Sequence, residues 1–331
     1  MVNSHIRKKK GVRRGRVILI LVIVLVLISA LVLGGVALWN NFVKPPEIPT
    51  QTVPEGMTRP DSVEEGIYNI LVVGRDRVGL NTDTILLVSL NTEDDKVNVL
   101  SIPRDTYVKG AERKIKKING AYGRTGKANV DNLLEEIEIV TGIRPDNYVI
   151  VDLDGFVELI DAIGGVEVDV PQKMNYDDDA QNLHIHLEKG LQTLNGEDAM
   201  GFVRFRHDYA EGDMGRVKAQ QIFLKALADK MMSPSQLGNV DKYVNFVQNN
   251  LDTELTAGEM LWFGTQLLEM NPATDVQMFI LPGEGMMYEK YSYFLVEKEE
   301  ALEMLNDYFN PYDQKITDIG VIDINSVKKA A

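Results

Sequence analysis

Along the chain the spacing of apolar and polar residues changes character three times. Residues 17–39 (VILILVIVLVLISALVLGGVALW) run for 23 positions without a charge. About 20 apolar residues suffice for a helix to cross the hydrocarbon core of a bilayer. A cleaved secretory signal has a shorter apolar core, roughly 7–15 residues, followed by a small-residue cleavage site. The run is longer than that and no obvious site follows it, so the pattern predicts an uncleaved transmembrane helix. Residues 40–66 hold prolines at 45, 46, 49, 54 and 60, which predicts an extended linker rather than packed structure.

From residue 67 short apolar runs alternate with amphipathic ones. YNILVV (68–73) reads as a strand stopped by Gly74. TILLVSL (84–90) is apolar on both alternations, as a strand buried on both faces would be. NTEDDK (91–96) is turn material, so VNVLSI (97–102) is the expected hairpin partner. VDNLLEEIEIV (130–140) has helical spacing and stops at Gly142. Residues 148–153 read as a strand, GFVELIDAI (155–163) as a helix ended by Gly164 and Gly165, and 166–170 as a strand stopped by Pro171. Residues 214–232 predict a long helix with Asp213 at its start, 276–281 a strand, and 298–309 a helix. This order fits an α/β body with a central mixed sheet wrapped by helices.

Charge divides the chain in the same way. Residues 1–44 contain eight Lys or Arg and no acid, seven of them within 7–16; the remainder has 27 basic residues against 49 acidic, a net −22. By the positive-inside rule residues 1–16 stay cytoplasmic, so the body faces outside the cell. An acidic body repels nucleic acid, whose binding depends on neutralising phosphates. There is no cysteine, which excludes disulfides and thiolate catalysis.

The candidate chemistry lies in arginines and aspartates. GAYGRTGKA (120–128) lacks the glycine and the Ser/Thr of a phosphate loop, because Ala121 and Ala128 occupy those places. His184 and His186 would share a strand face near Asp177; a metal site there is less expected than a solvated loop beside two exposed histidines. In LSIPRDTYV (100–108), Arg104 and Asp105 follow a strand and a proline, on a stiff backbone. In MGFVRFRH (200–207), an extended backbone would place Arg204 and Arg206 on one face, two cations calling for an anion. Arg216 falls in the first turn of the long helix. The macrodipole disfavours a cation there, unless it shares an anion with the free N–H groups. Asp76 ends the first strand and Asp83 opens the second, where their carboxylates suit Mg²⁺. Salt bridging and capping remain alternatives for all of these.

Taken in order, several segments resemble the LytR-CpsA-Psr family of bacterial envelope proteins: NILVVGRD (69–76), TDT (82–84), LSIPRDTYV, KINGAY (117–122), VDLDGFVELIDAIGGVEVDVP (151–171), LEKGLQTLNGEDAMGFVRFRH (187–207), GDMGRVKAQQ (212–221) and LPGEG (281–285). The resemblance implies an α/β/α domain over residues 67–310, followed by a tail at 311–331. It implies a polyprenyl-pyrophosphate-linked glycopolymer (wall teichoic acid, capsular or similar polysaccharide) as donor and peptidoglycan as acceptor. It assigns Arg104, Arg204, Arg206, Arg216 and Gln220 to the pyrophosphate, and Asp76 and Asp83 to Mg²⁺. Three departures stand out: Asn81 and Ala219 where the family usually has arginine, and a short loop between Asp76 and Asp83. Two readings follow, a membrane-anchored phosphotransferase and a non-catalytic lipid-pyrophosphate binder that regulates or scaffolds envelope assembly.

Overall fold

The computed structural model describes residues 42–47, 63–75, 80–179, 183–205, 209, 213–231 and 251–330. Strands are β1 (Ile67–Arg75), β2 (Thr82–Asn91), β3 (Lys96–Ser101), β4 (Asn147–Asp152), β5 (Val166–Val170), β6 (Met174–Asp178), β7 (Leu183–Leu187), β8 (Gly190–Leu194), β9 (Leu251–Thr253), β10 (Val276–Ile280), β11 (Gly283–Tyr288) and β12 (Tyr291–Val296). Helices are α1 (Val130–Thr141), α2 (Leu153–Ala162), α3 (Gly196–Arg204), α4 (Asp213–Met231), α5 (Ala257–Glu269), α6 (Pro272–Asp275), α7 (Lys298–Tyr308) and α8 (Ile324–Ala330). The predicted transmembrane run lies outside the described residues, and no helix among those described is long and apolar enough to cross a membrane.

The centre is a mixed six-stranded sheet in the order β10-β3-β2-β1-β4-β9. β2 pairs antiparallel with β3 as the turn signal predicts, and β1 lies antiparallel to β2 but parallel to β4. Because side chains alternate along a strand, the sheet has two apolar faces. Leu71, Val73, Ile85, Leu87 and Leu100 point to one face, filled by Leu133, Ile137 and Val140 of α1 and by Ala301 and Leu305 of α7. Tyr68, Leu86, Leu90, Val97 and Val99 point to the other, where Leu255 and Phe263 cover part of it. Beside that second face stands a separate layer: the antiparallel pair β5–β8 and the hairpin β6–β7 with α2, α3 and α4, around Phe202, Phe205 and Phe223.

Three expectations change. The segment 311–331 is not a tail: Tyr312, Ile316, Ile319 and Val321 are buried in the main core, and Val63 bridges to Tyr312. Within the predicted linker, Pro46 is buried and Phe42 touches Gly258 of α5, chiefly through its carbonyl oxygen, so the stretch meets the body at these two points while Lys44, Pro45 and Glu47 stay exposed. Asp177 lies on a strand rather than in a loop, directly opposite His184, because Tyr176 and Ile185 point inward and hold the hairpin in register.

Candidate functional site

The elements converge at one end of the sheet. Parallel strands β1 and β4 end there, β3 ends there, and β2 begins there. Ligands of α/β sheets settle outside the carboxyl ends of parallel strands. A cavity of about 510 Å³ opens at this end, between the second sheet face and the α2–α3–α4 layer.

Each charged group at the mouth has a local reason for its place. In the β1–β2 ladder Gly74 pairs with Thr84 but Arg75 pairs with Thr82, so Asp83 is the extra residue of a bulge. Bulges re-aim side chains in this way. Gly74 lies close to its neighbour, where a Cβ would come within 3.1 Å of Thr84 Cβ. Arg104 sits in a tight turn: the Thr106 N–H and hydroxyl both donate to the Pro103 carbonyl, at 2.9 and 2.6 Å. The turn is tied on both flanks, by Asn119 N–H to the Arg104 carbonyl (3.1 Å) and Phe294 N–H to the Asp105 carbonyl (2.9 Å). The β11–β12 hairpin therefore braces the mount of Arg104.

Arg104 Nη1 donates to Asp83 Oδ1 at 2.6 Å. Asp105 is not among the cavity-lining residues. Its carboxylate pairs with Lys117 Nζ at 3.0 Å and lies 3.9 Å from Arg104 Nε, so it orients the arginine from behind and does not face the cavity.

Arg204 and Arg216 also line the cavity, by a route the sequence pattern obscured. The stretch predicted as extended is the end of α3. Asn195 caps its start by accepting from Asp198 N–H, and Arg204 is its last residue. Ala199 and Phe202 are buried at helical spacing, so burial follows a period near 3.6 and overrides the V-R-F-R alternation. A cation is favourable in a last helical turn, which suits Arg204. Arg206 and Asp76 lie outside the described residues. Arg216 is in the first turn of α4, only 6% exposed. Gln220, one turn on, lines the cavity while its amide donates to the Val203 carbonyl at 3.1 Å, which locks α4 to the end of α3.

Asp152 was missed in the sequence. It lines the cavity, caps α2 by accepting from Gly155 N–H at 2.8 Å, and lies 3.9 Å from Arg75. Behind the charged mouth the walls become apolar: Val72, Leu86, Phe156, Val203, Leu224 and Leu227. Nearby, burial pushes the Tyr209 hydroxyl up to about 12, so that ring serves the packing of Phe205. On the outer face of β6–β7, the His184 and His186 rings both approach Asp177, at 2.8 and 3.2 Å, and hold its carboxyl below its usual range. No group of three metal-ligating side chains is assembled among the described residues.

The donor set at the mouth suits Mg²⁺ in kind: carboxylate oxygen from Asp83, partly exposed and facing the cavity. Mg²⁺ is commonly held through one or two carboxylates together with substrate phosphates.

The chain is 32% identical over 238 residues to the polyisoprenyl-teichoic acid–peptidoglycan teichoic acid transferase TagV of Bacillus subtilis (strain 168), a match covering 69% of this chain and 60% of TagV. It is 30% identical over 246 residues to the polyisoprenyl-teichoic acid–peptidoglycan teichoic acid transferase TagU of Oceanobacillus iheyensis, covering 72% of this chain and 73% of that one. The crystal structure of B. subtilis TagV superposes with a TM-score of 0.62 at 29% identity, over 73% of this chain and 95% of the crystallised one. A Streptococcus agalactiae protein shares the fold with a TM-score of 0.68 at 22% identity, over 80% of this chain and 95% of that one. Residues 49–310 match the LytR_cpsA_psr family, and the chain belongs to that family.

Proposed function

We propose that this chain is a membrane-anchored transferase acting outside the cell. It moves a glycopolymer, wall teichoic acid or a similar polysaccharide, from a polyprenyl pyrophosphate carrier to a hydroxyl of peptidoglycan. The observation that carries the reading is a single cavity whose mouth holds Arg104, Arg204 and Arg216 and whose walls are apolar. A polyprenyl pyrophosphate is amphipathic in the same sense. The names of the TagV and TagU relatives describe this type of transfer.

In the reaction the acceptor hydroxyl oxygen attacks the sugar-side phosphorus and gives up its proton to solvent water. The bond from that phosphorus to the bridging oxygen breaks, and its electron pair leaves with polyprenyl phosphate. Phosphoryl transfer asks little covalent chemistry of the protein and much charge stabilisation. Guanidinium groups fixed by backbone ties fit that role, since forked donors match phosphate oxygens. Arg104 changes partner, from the Asp83 carboxylate to a phosphate oxygen. Asp83, with Asp76 as the motif implies, would hold Mg²⁺, which supplies positive charge to the pyrophosphate. Gln220 fixes the relation of Arg204 to Arg216. The basic residues before the apolar run support a cytoplasmic N-terminus and an external body.

The full chain, given a lipid-pyrophosphate oligosaccharide, peptidoglycan strands and Mg²⁺, is expected to yield glycan joined to peptidoglycan by a phosphodiester. Tight lipid binding without product across a panel of donors would instead support the scaffold reading.

A further inference from the structure

Phe42 is seated on the start of α5. The Phe42 carbonyl oxygen occupies the place where a side chain on Gly258 would begin: an added Cβ would meet it at 1.9 Å. Only glycine allows this approach. Pro46 is buried, whereas Phe42 leaves 54% of its surface exposed, with one ring edge against Gly258 and the rest of the ring outward. Trp39, the last residue of the apolar run, is three positions before Phe42, a reach of at most about 11 Å of extended chain. Val72, Leu86 and Leu224 line the cavity and also belong to the cluster containing Trp262 and Phe263 of α5. The seated segment and the apolar part of the cavity therefore share one face of the sheet, and α7 is on the other.

We propose that residues 42–47 are a docked strap that seats the α5 edge of the body on the outer surface of the lipid bilayer, with Phe42 in the interface. The proposal rests on the membrane anchoring given under the proposed function and adds the surface that meets the membrane. A ring such as Phe42, with apolar surface free of protein, is suited to the headgroup boundary. The seating also turns the apolar side of the cavity toward the membrane that carries the lipid.

The chain has no cysteine, so single-cysteine labels report without background. The full chain is placed in phosphatidylglycerol–phosphatidylethanolamine vesicles carrying a headgroup nitroxide. A fluorophore sits at Glu254→Cys, beside the start of α5, or at Glu300→Cys, on α7. Quenching is expected to be several-fold stronger at position 254 than at 300. Gly258→Leu, which displaces the strap, is expected to bring the two toward equality with the thermal transition preserved. Phe42→Asp keeps the backbone contact with Gly258 and removes the half-exposed apolar ring, and is expected to weaken quenching at 254. Equal quenching in a chain that floats with the vesicles overturns the strap alone. A chain that does not float overturns the strap and the anchor together.

Discussion

The two faces of the central sheet use the same strands for opposite ends. On one face Leu71, Val73, Ile85 and Leu87 meet α1, α7 and the C-terminal residues, and the space is filled. On the other, α5 covers part of the surface and the α2–α3–α4 layer stands off, which leaves a cavity of about 510 Å³ between them. Adjacent residues of one strand thus serve different purposes: Leu71 is wholly buried in the main core, while Val72 lines the cavity. On the proposed function, stability resides in the first face and recognition in the second. Substitutions on each should therefore separate melting from binding.

The largest effect is expected from cutting the chain after Asn310. This removes Tyr312, Ile316, Ile319 and Val321 from the filled face. Each buried side chain of this kind contributes about 1.5–3 kcal/mol, so the sum approaches the whole stability of a domain. Calorimetry should show no cooperative transition. Ile137→Ala, fully buried on the same face, is expected to cost about 2–5 kcal/mol in denaturant unfolding.

On the cavity face the order reverses. Arg104→Ala removes a partly exposed ion pair with Asp83, worth no more than about 1 kcal/mol of stability. It should lower transfer by roughly 10²–10³-fold, the usual loss for one preorganised charge-stabilising donor. Leu227→Ala, on the apolar wall, should shift unfolding by about 1 kcal/mol and weaken lipid binding more than it lowers turnover.

The smallest effect lies at the sheet edge. Lys96 and a backbone N–H hold the Asp275 carboxyl at about 2, below its usual 3.8. A lowered folded value contributes stability above the unfolded value, lost as pH falls through the folded one. Asp275→Asn should therefore be slightly less stable than the parent at pH 7, and the gap should close between about pH 4 and pH 2.

Much of this was legible because it depends on local periodicity. The β2–β3 hairpin, α1 and the strand-end position of Arg104 follow from alternation, capping and proline. Elements whose signals were weak or long-range were not. The β11–β12 turn uses Glu289 and Lys290 with positive φ, without the Asn-Gly or Asp-Gly that marks such turns. Arg204 sat in a string that alternates like a strand, yet burial of Ala199 and Phe202 makes it helical. Asp152 read as a strand end, because its place at the cavity depends on the parallel pairing of β4 with β1. Ile316 and Ile319 are separated by polar residues and gave no periodic sign that they close the core. At the site, three of the assigned arginines, Arg104, Arg204 and Arg216, come together with Asp83 and Gln220, while Asp105 stands behind Arg104.

The central claim is that one cavity reads two chemistries at once, a pyrophosphate at the mouth and an isoprenoid along the wall. The most direct test is calorimetric binding of polyprenyl pyrophosphate, compared with inorganic pyrophosphate alone and with polyprenol alone, in the same Mg²⁺ buffer. Burial of apolar carbon contributes about 0.8 kcal/mol per CH₂, so the whole lipid pyrophosphate should bind at least about 100-fold tighter than either fragment. Equal affinity for the whole and for either fragment would contradict the account.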